Sequence, residues 1–413
     1  MEAADEVREA PETGPAGAFL VRLGRALHES GFPAPELESA LHGVARRLGI
    51  VAQFFSTPTS LLTALGEGLE QRTHLERVEP SGVDLGRLAL LDQLIRRVVA
   101  GDLSPARAHD ALERALGRHR PYPLGLVQAS WALASAATAV FLGGGWNEMG
   151  VAALLGLATG LLSSALAGRS VSGLLLEPIA AALAAFGAAA AASRLEPLSI
   201  YIATLSGIIY LIPGFTLTVA LAELATRHLS SGTARFASAL MVFLSLTFGV
   251  ALGGHAAAAL FGAPVHVPPT PPGPWVEVVA LLVAPFAYIV LYRAPLAELP
   301  WVALVGFLGL QAGRIGGDLT SPELGMFLGA LAVGLASRFY ERLRRRPRHL
   351  TLVPSILLLV PGTIGYRSFA SLLESDVVLG IQTAFRMILI AVSLVAGLLA
   401  SYALAPRSAA GDP

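Results

Sequence analysis

An apolar stretch that cannot be a straight rod constrains this chain more than any other feature. Leu198 to His228, LSIYIATLSGIIYLIPGFTLTVALAELATRH, is hydrophobic enough to enter a bilayer and 31 residues long. As continuous helix it would run roughly 46 Å at about 1.5 Å per residue, against a hydrocarbon core about 30 Å thick. Halfway along stand Pro213 and Gly214. Proline removes a backbone donor and clashes with the preceding turn, and glycine frees the next dihedral. The expected outcome is a broken helix or re-entrant hairpin whose interrupted backbone faces protein or water. A second copy, Leu352 to Leu373, carries Pro361 and Gly362 at the corresponding place, 148 residues on. Paired apolar segments interrupted in this way are the sequence mark of a secondary transporter's binding site.

Composition agrees with a membrane protein: 54% of residues are hydrophobic and 14% charged, in 413 residues. Formal net charge is zero, which gives no reason to expect nucleic acid, and the absence of cysteine excludes disulfides, iron–sulfur clusters and thiolate metal sites. The acidic leader, residues 1–16, is expected to be disordered and has no apolar h-region of a cleaved signal peptide. Residues 17–122 are expected to form a small cytoplasmic α/β domain. In it, amphipathic helices are predicted over Ala18–Ser30 and Pro35–Leu48. Short strands follow over Ile50–Phe55, Ser60–Leu65 and Thr73–Val78, then helices over Leu85–Ala100 and Ser104–Leu116, with Pro105 opening the last.

Ten spans are predicted beyond it, near 124–142, 148–168, 173–193, 198–228, 233–256, 276–293, 297–315, 323–340, 350–373 and 380–404. They divide into a first five-span repeat (123–261), a proline-rich connector (262–274), a second five-span repeat (275–404) and a tail (405–413). The pairs Gly156/Gly160 and Gly325/Gly329 have the spacing that lets helices approach closely in lipid. Arginines concentrate on one side: Arg118, Arg120, Arg169, Arg227, Arg235, Arg293, the run from Arg338 to Arg348, and Arg407. Only Arg194, Arg314 and Arg367 fall on the other. This asymmetry predicts both termini in the cytoplasm. Five spans is an odd number, so a repeated half must be inverted. The fold expected is therefore mainly α, a polytopic membrane protein of two inverted five-helix repeats behind a small α/β domain.

Candidate site residues follow from that frame. The peptide groups freed at Pro213, Gly214, Pro361 and Gly362, with the hydroxyls of Thr216, Thr218, Thr363 and Tyr366, are candidate substrate ligands. The positive end of a half-helix beginning after the break suits a carboxylate. Such threonines also serve merely to satisfy freed carbonyls. Glu223 and Glu177 are candidate proton carriers because intramembrane carboxyls are costly and tend to be functional. The alternatives are an ion pair of Glu223 with Arg227 four residues on, and a headgroup-level position for Glu177. Arg314 is either a counter-ion for an anionic substrate or a boundary arginine facing lipid phosphate. Glu323 follows Ser321-Pro322 as helix-start chemistry, and Trp146, Trp275 and Trp301 fall at predicted interfaces. There is no GxSxG, HExxH or Walker loop, so neither catalytic residues nor a metal or other cofactor is expected, and any active transport is expected to use an ion gradient.

At these residues the chain resembles the threonine/serine exporter family from about residue 17 to 404. The resemblance rests on Leu211-Ile-Pro213-Gly214-Phe215-Thr216-Leu217-Thr218 with Glu223 beyond it, on Leu359-Val-Pro361-Gly362 with Tyr366-Arg367, and on a soluble domain placed before five spans. It implies secondary export of threonine or serine across the bacterial inner membrane, driven by proton motive force. Split relatives suggest a dicarboxylate such as succinate as the alternative substrate. The partners implied are the substrate, protons and lipid, with a homo-oligomer open. The competing reading is a membrane-anchored hydrolase whose catalytic part is the N-terminal domain, and a passive channel is a third.

Overall fold

A computed structural model describes residues 14–78, 82–118, 122–168, 172–262, 268–359 and 377–404. The chain divides into two compact units, one holding the residues up to His119 and the other Arg120–Arg407.

In the first unit, α1 (Pro15–Glu29) and α2 (Ala34–Leu48) precede a three-stranded antiparallel meander, β1 (Ala52–Thr57), β2 (Ser60–Leu65) and β3 (Arg72–Arg77). Helices α3 (Leu85–Ala100) and α4 (Pro105–Arg118) follow. Proline lies in the first turn of α1 and α2 and begins α4, where its missing N–H costs nothing. Gly49 and Gly101 end α2 and α3 in the left-handed conformation. Asp84 caps α3 by accepting from the Arg87 amide at 2.8 Å. Phe19, Leu20, Leu23, Leu37, Leu41, Leu61, Leu85 and Leu88 are fully buried where helices meet sheet. At about 1.5–3 kcal/mol for each large side chain, these account for the unit's cohesion.

The second unit is helical. Its first five elements are α5 (Leu124–Phe141), α6 (Trp146–Leu166), α7 (Ser172–Ala192), the interrupted pair α8 (Ile200–Gly207) and α9 (Gly214–Ala225), and α10 (Leu229–Phe261). Then come α11 (Pro274–Leu291), α12 (Leu299–Leu319), α13 (Pro322–Arg344), the short α14 (His349–Ile356) and α15 (Val377–Leu404). Among the described residues, seven helices are long and apolar enough to cross a membrane, and the interrupted pair, bent by 55°, makes an eighth.

That number differs from the ten expected, for two reasons. Helix α13, expected as the span 323–340, falls short of the others because Glu323 and Arg338 bracket its apolar stretch. The expected span 350–373 is described only to Leu359, so the second Pro-Gly pair lies outside the described residues.

Helix contacts run in parallel through the two sets of five. The third element packs on the fifth in each, α7 on α10 and α13 on α15, and the second packs on the fourth, α6 on α8 and α12 on α14. The first elements, α5 and α11, pack on each other. Close approach depends on small residues. A Cβ on Gly253 would lie 2.1 Å from the Ala182 carbonyl oxygen, and one on Gly397 2.2 Å from that of Phe327. Gly156 and Gly160 abut Ser135, Trp131 and Gln128 of α5, and Gly325 and Gly329 abut α12 backbone at Gly313 and Gly309. Both expected glycine pairs therefore lie at helix crossings.

Candidate functional site: a broken helix on an aromatic seam

Helix α8 ends at Gly207, a single 3-10 turn covers Ile209–Leu211, and Pro213 (φ −80°, ψ 39°) stands outside the helix that Gly214 begins. Proline cannot supply the amide a continuous helix needs here, so the chain bends instead. Most of the freed groups find local partners. The Thr159 hydroxyl of α6 donates to the Leu155 and Gly207 carbonyls at 2.9 and 3.2 Å, so the last carbonyl of α8 is held from a neighbouring helix. Thr218 is buried and donates to the Gly214 carbonyl at 3.0 Å. Its proton therefore serves its own helix, and only its lone pairs remain for a ligand. Thr216 is half-buried in the first turn of α9. There the Gly214 amide donates to the Ile212 carbonyl at 2.8 Å, and the Pro213 carbonyl accepts from the Leu217 amide at 2.9 Å. This leaves the Phe215 and Thr216 N–H groups as those a helix start turns toward the break.

Two buried hydroxyls do not find partners. Thr204 and Ser206, in α8 just before the break, have oxygens with no hydrogen-bond partner among the described residues. Leaving a buried hydroxyl unsatisfied costs about 1–3 kcal/mol, which marks these positions as candidates for ligand contact. Sequence reading passed over them. Their signal was two small polar residues inside the otherwise apolar run Ile202–Leu205–Gly207.

The fourth elements of the two sets reach one place. Trp131 of α5 and Tyr288 of α11 form the buried centre of a cluster that also holds Tyr210 and Leu211 from the first element and Leu357 and Leu358 from the second. The Trp131 and Tyr210 rings meet edge-on at 4.6 Å, and Tyr292 lies 5.5 Å from Tyr210. On the other side of the break, Met387 of α15 packs with Ile212 and Leu217. Leu359, the last described residue before the second Pro-Gly pair, fits against Gly309, Gly313 and Gly329. Pro361, Gly362, Thr363 and Tyr366 themselves lie outside the described residues.

The charged candidates are placed differently from one another. Glu223 is 1% exposed on α9, and its Oε1 accepts from Arg235 Nε of α10 at 3.1 Å. The i,i+4 alternative with Arg227 is replaced by this pair, because Arg227 follows the end of α9 at φ 65° and is exposed. Glu177 is half-buried beside Pro178 in α7, and no hydrogen bond or ion pair among the described residues joins it to the break. Arg314 of α12 is bound to Glu277 of α11, so it has a resident anion and is not an open counter-ion.

Two buried carboxylates were missed. Glu148 Oε2 accepts from the Gly145 amide at 2.8 Å and Oε1 from the Ser199 amide at 2.6 Å. Glu298 is fully buried, accepts from the Tyr340 hydroxyl at 2.6 Å and pairs with Arg346. Each stands beside a predicted span start, where a glutamate reads as ordinary helix-end chemistry. Among the described residues no cluster of histidine or acidic side chains is arranged to hold a metal ion.

Comparison with protein families matches residues 18–255 to a threonine/serine exporter model, ThrE, and residues 277–404 to a second, "Threonine/Serine exporter, ThrE". Among curated proteins, "Pheromone-regulated membrane protein 10" of Saccharomyces cerevisiae is 25% identical over 370 residues, covering 86% of this chain and 48% of the relative. The protein of the same name in Eremothecium gossypii is 26% identical, covering 90% of this chain and 50% of its own length. That of Kluyveromyces lactis is 26% identical, with 89% and 39% covered. The chain thus spans half or less of the length of these relatives. No solved structure matches. The expected bacterial inner membrane is corrected by these findings, since the relatives named are membrane proteins of fungi.

Proposed function

The chain belongs to the threonine/serine exporter family, and from that premise we propose that it is a secondary exporter of small polar metabolites, threonine and serine first among them, driven by a proton gradient. The observation that carries this reading is the meeting of the interrupted helix α8–α9 with the residues that follow α14 on one aromatic seam between two similarly packed sets of elements. Discontinuous helices at a repeat interface supply polar backbone where a membrane protein otherwise has none. In this reading the two sets are inverted repeats of ten spans, with α13 and the segment around Pro361 among them.

The first turn of α9, at Phe215 and Thr216, offers N–H groups and the positive end of its dipole to the substrate carboxylate. The hydroxyls of Thr204, Ser206 and Thr216, together with those of Thr363 and Tyr366, meet its polar side. The rings of Trp131, Tyr210 and Tyr288 exclude water from the seam. Glu223 is the first coupling group: a proton arriving on it competes with Arg235, and breaking that pair loosens α9 from α10. Glu177 is the second candidate, and Arg314 with Glu277 closes the opposite end of α11 and α12.

Counterflow in proteoliposomes tests the reading. Labelled threonine or serine is expected to accumulate against an internal unlabelled pool, and an imposed pH gradient is expected to drive net flux. Preference for succinate would replace the substrate while keeping the mechanism. Flux without response to the gradient would replace the transporter by a passive channel.

A further inference from the structure

Glu148 and Glu298 are 150 residues apart, close to the 148 that separate the two Pro-Gly pairs. Each is buried at the start of the second helix of its set, Glu148 as the third residue of α6 and Glu298 as the residue before α12. Each also holds the segment that leads into the fourth element of its set, α8 or α14. Glu148 takes the amide of Ser199, whose side chain caps α8, and neighbouring Asn147 donates to the Pro197 carbonyl at 3.0 Å. Glu298 takes Arg346, three residues before α14 begins at His349. Tyr340 fixes the same carboxylate and meets the Trp301 ring edge-on at 5.6 Å.

The two anchors stand at opposite ends of the bundle. The Trp146 and Trp275 rings lie 5.8 Å apart, and a Cβ on Gly145 would meet the Thr270 carbonyl oxygen at 2.5 Å, so Glu148 is at the Trp275 end of α11. Helix α12 returns to that end, where Arg314 binds Glu277. Glu298 follows the other end of α11, beside the exposed Arg342, Arg344 and Arg345. Their chemistry differs too. Glu298 is held by a guanidinium and a phenol, whereas Glu148 is held by two backbone amides.

We propose that Glu148 and Glu298 are a pair of positioning residues, one latch for each face, each holding the entry of the fourth helix of its set, α8 or α14, so that the seam is closed from that side. This rests on the exporter reading, in which the faces open alternately. A glutamine in place of Glu148 presents an amino group to one of its two N–H donors and so releases one anchor. The same change at Glu298 removes the charge that holds Arg346.

The chain contains no cysteine, so Thr216→Cys is a unique reporter beside the break. In oriented vesicles, a membrane-impermeant maleimide would be applied from each side in turn. Glu148→Gln is expected to raise the labelling rate from the Trp146/Trp275 side, and Glu298→Gln from the arginine-rich side. Each change should be on the order of tenfold, as for the loss of one charge-assisted hydrogen bond. Asn147→Ala and Arg346→Met, which leave the buried carboxylates in place, should give the same polarity more weakly and serve if either glutamine variant fails to fold. Labelling raised from both sides alike, from the same side in both variants, or from neither would overturn the proposal. The readout needs neither substrate nor gradient, so absent counterflow with intact opposite-side labelling would sink the exporter reading and leave the latches standing.

Discussion

Glu223 shows how a residue can stand where its chemistry was expected and still behave differently. A buried carboxyl with no cation would be a simple proton carrier, but Arg235 lies 3.1 Å away. Removing one partner of such a pair strands the other charge, at a cost of about 3–5 kcal/mol when fully buried. Arg235 retains 21% exposure, so water offsets part of that cost. Glu223→Gln is therefore expected to fold with a lowered Tm and to lose the response of flux to a pH gradient. Vesicle flux that still follows the gradient would remove Glu223 from coupling and bring Glu177 forward. The N-terminal unit carries a separate titration. Burial holds the Glu76 carboxyl above its ordinary 4.5, against the pull of Arg25 and Arg22, and its Oε2 has no hydrogen-bond partner among the described residues. The folded state thus binds this proton more readily than the unfolded one. The contribution is fully present below pH 4.5 and is lost as pH rises through the folded value. Glu76→Gln should raise the Tm of this unit at pH 7 and leave it unchanged at pH 4, by less than about 1 kcal/mol given the partial exposure. Equal effects at the two pH values would contradict this account.

At the scale of elements, two devices decide the bundle: a proline where a helix must stop and glycines where helices must touch. Pro213→Ala restores the missing amide and removes the ring that prevents continuation, so the 55° bend between α8 and α9 should relax. The variant is expected to keep its helix content by circular dichroism and to lose most counterflow. Full activity would mean that the bend is incidental. Gly253 tests the other device. A methyl there would overlap the Ala182 carbonyl, so Gly253→Ala is expected to push α10 away from α7. Overpacking of this kind costs about 1–3 kcal/mol and should appear as a lower Tm in detergent. Gly254, next along the helix, meets nothing within 4 Å, and Gly254→Ala should be neutral or slightly stabilising.

For the whole molecule, the parallel packing of α5–α10 and α11–α15 is the argument that transport belongs to the second unit alone. A protein lacking residues 1–122 is expected to retain counterflow. Hydrolytic activity from the N-terminal unit, with flux abolished in its absence, would return the membrane-anchored enzyme as the better account. Much of this architecture was legible in the sequence. The period of apolar residues, the prolines that open α2 and α4, and the strands around Phe54, Leu61 and Leu75 place the first unit's elements nearly where they occur. Pro213-Gly214 announces the break without any knowledge of its neighbours, because proline's geometry is a local property. Composition likewise marks the chain as a membrane protein. Partners were not legible. Nothing in the order of residues says that Glu223 meets Arg235 across a turn, that Arg314 is already taken by Glu277, or that Thr218 spends its proton on Gly214. Nor does it say that Glu148 reaches Ser199, 51 residues on, or that Tyr210 and Leu358 share one cluster. Backbone preferences act over one or two turns and can be read along the chain. Burial, ion pairing and hydrogen-bond satisfaction depend on which side chains the packing brings within a few ångströms, and only the tertiary structure decides that.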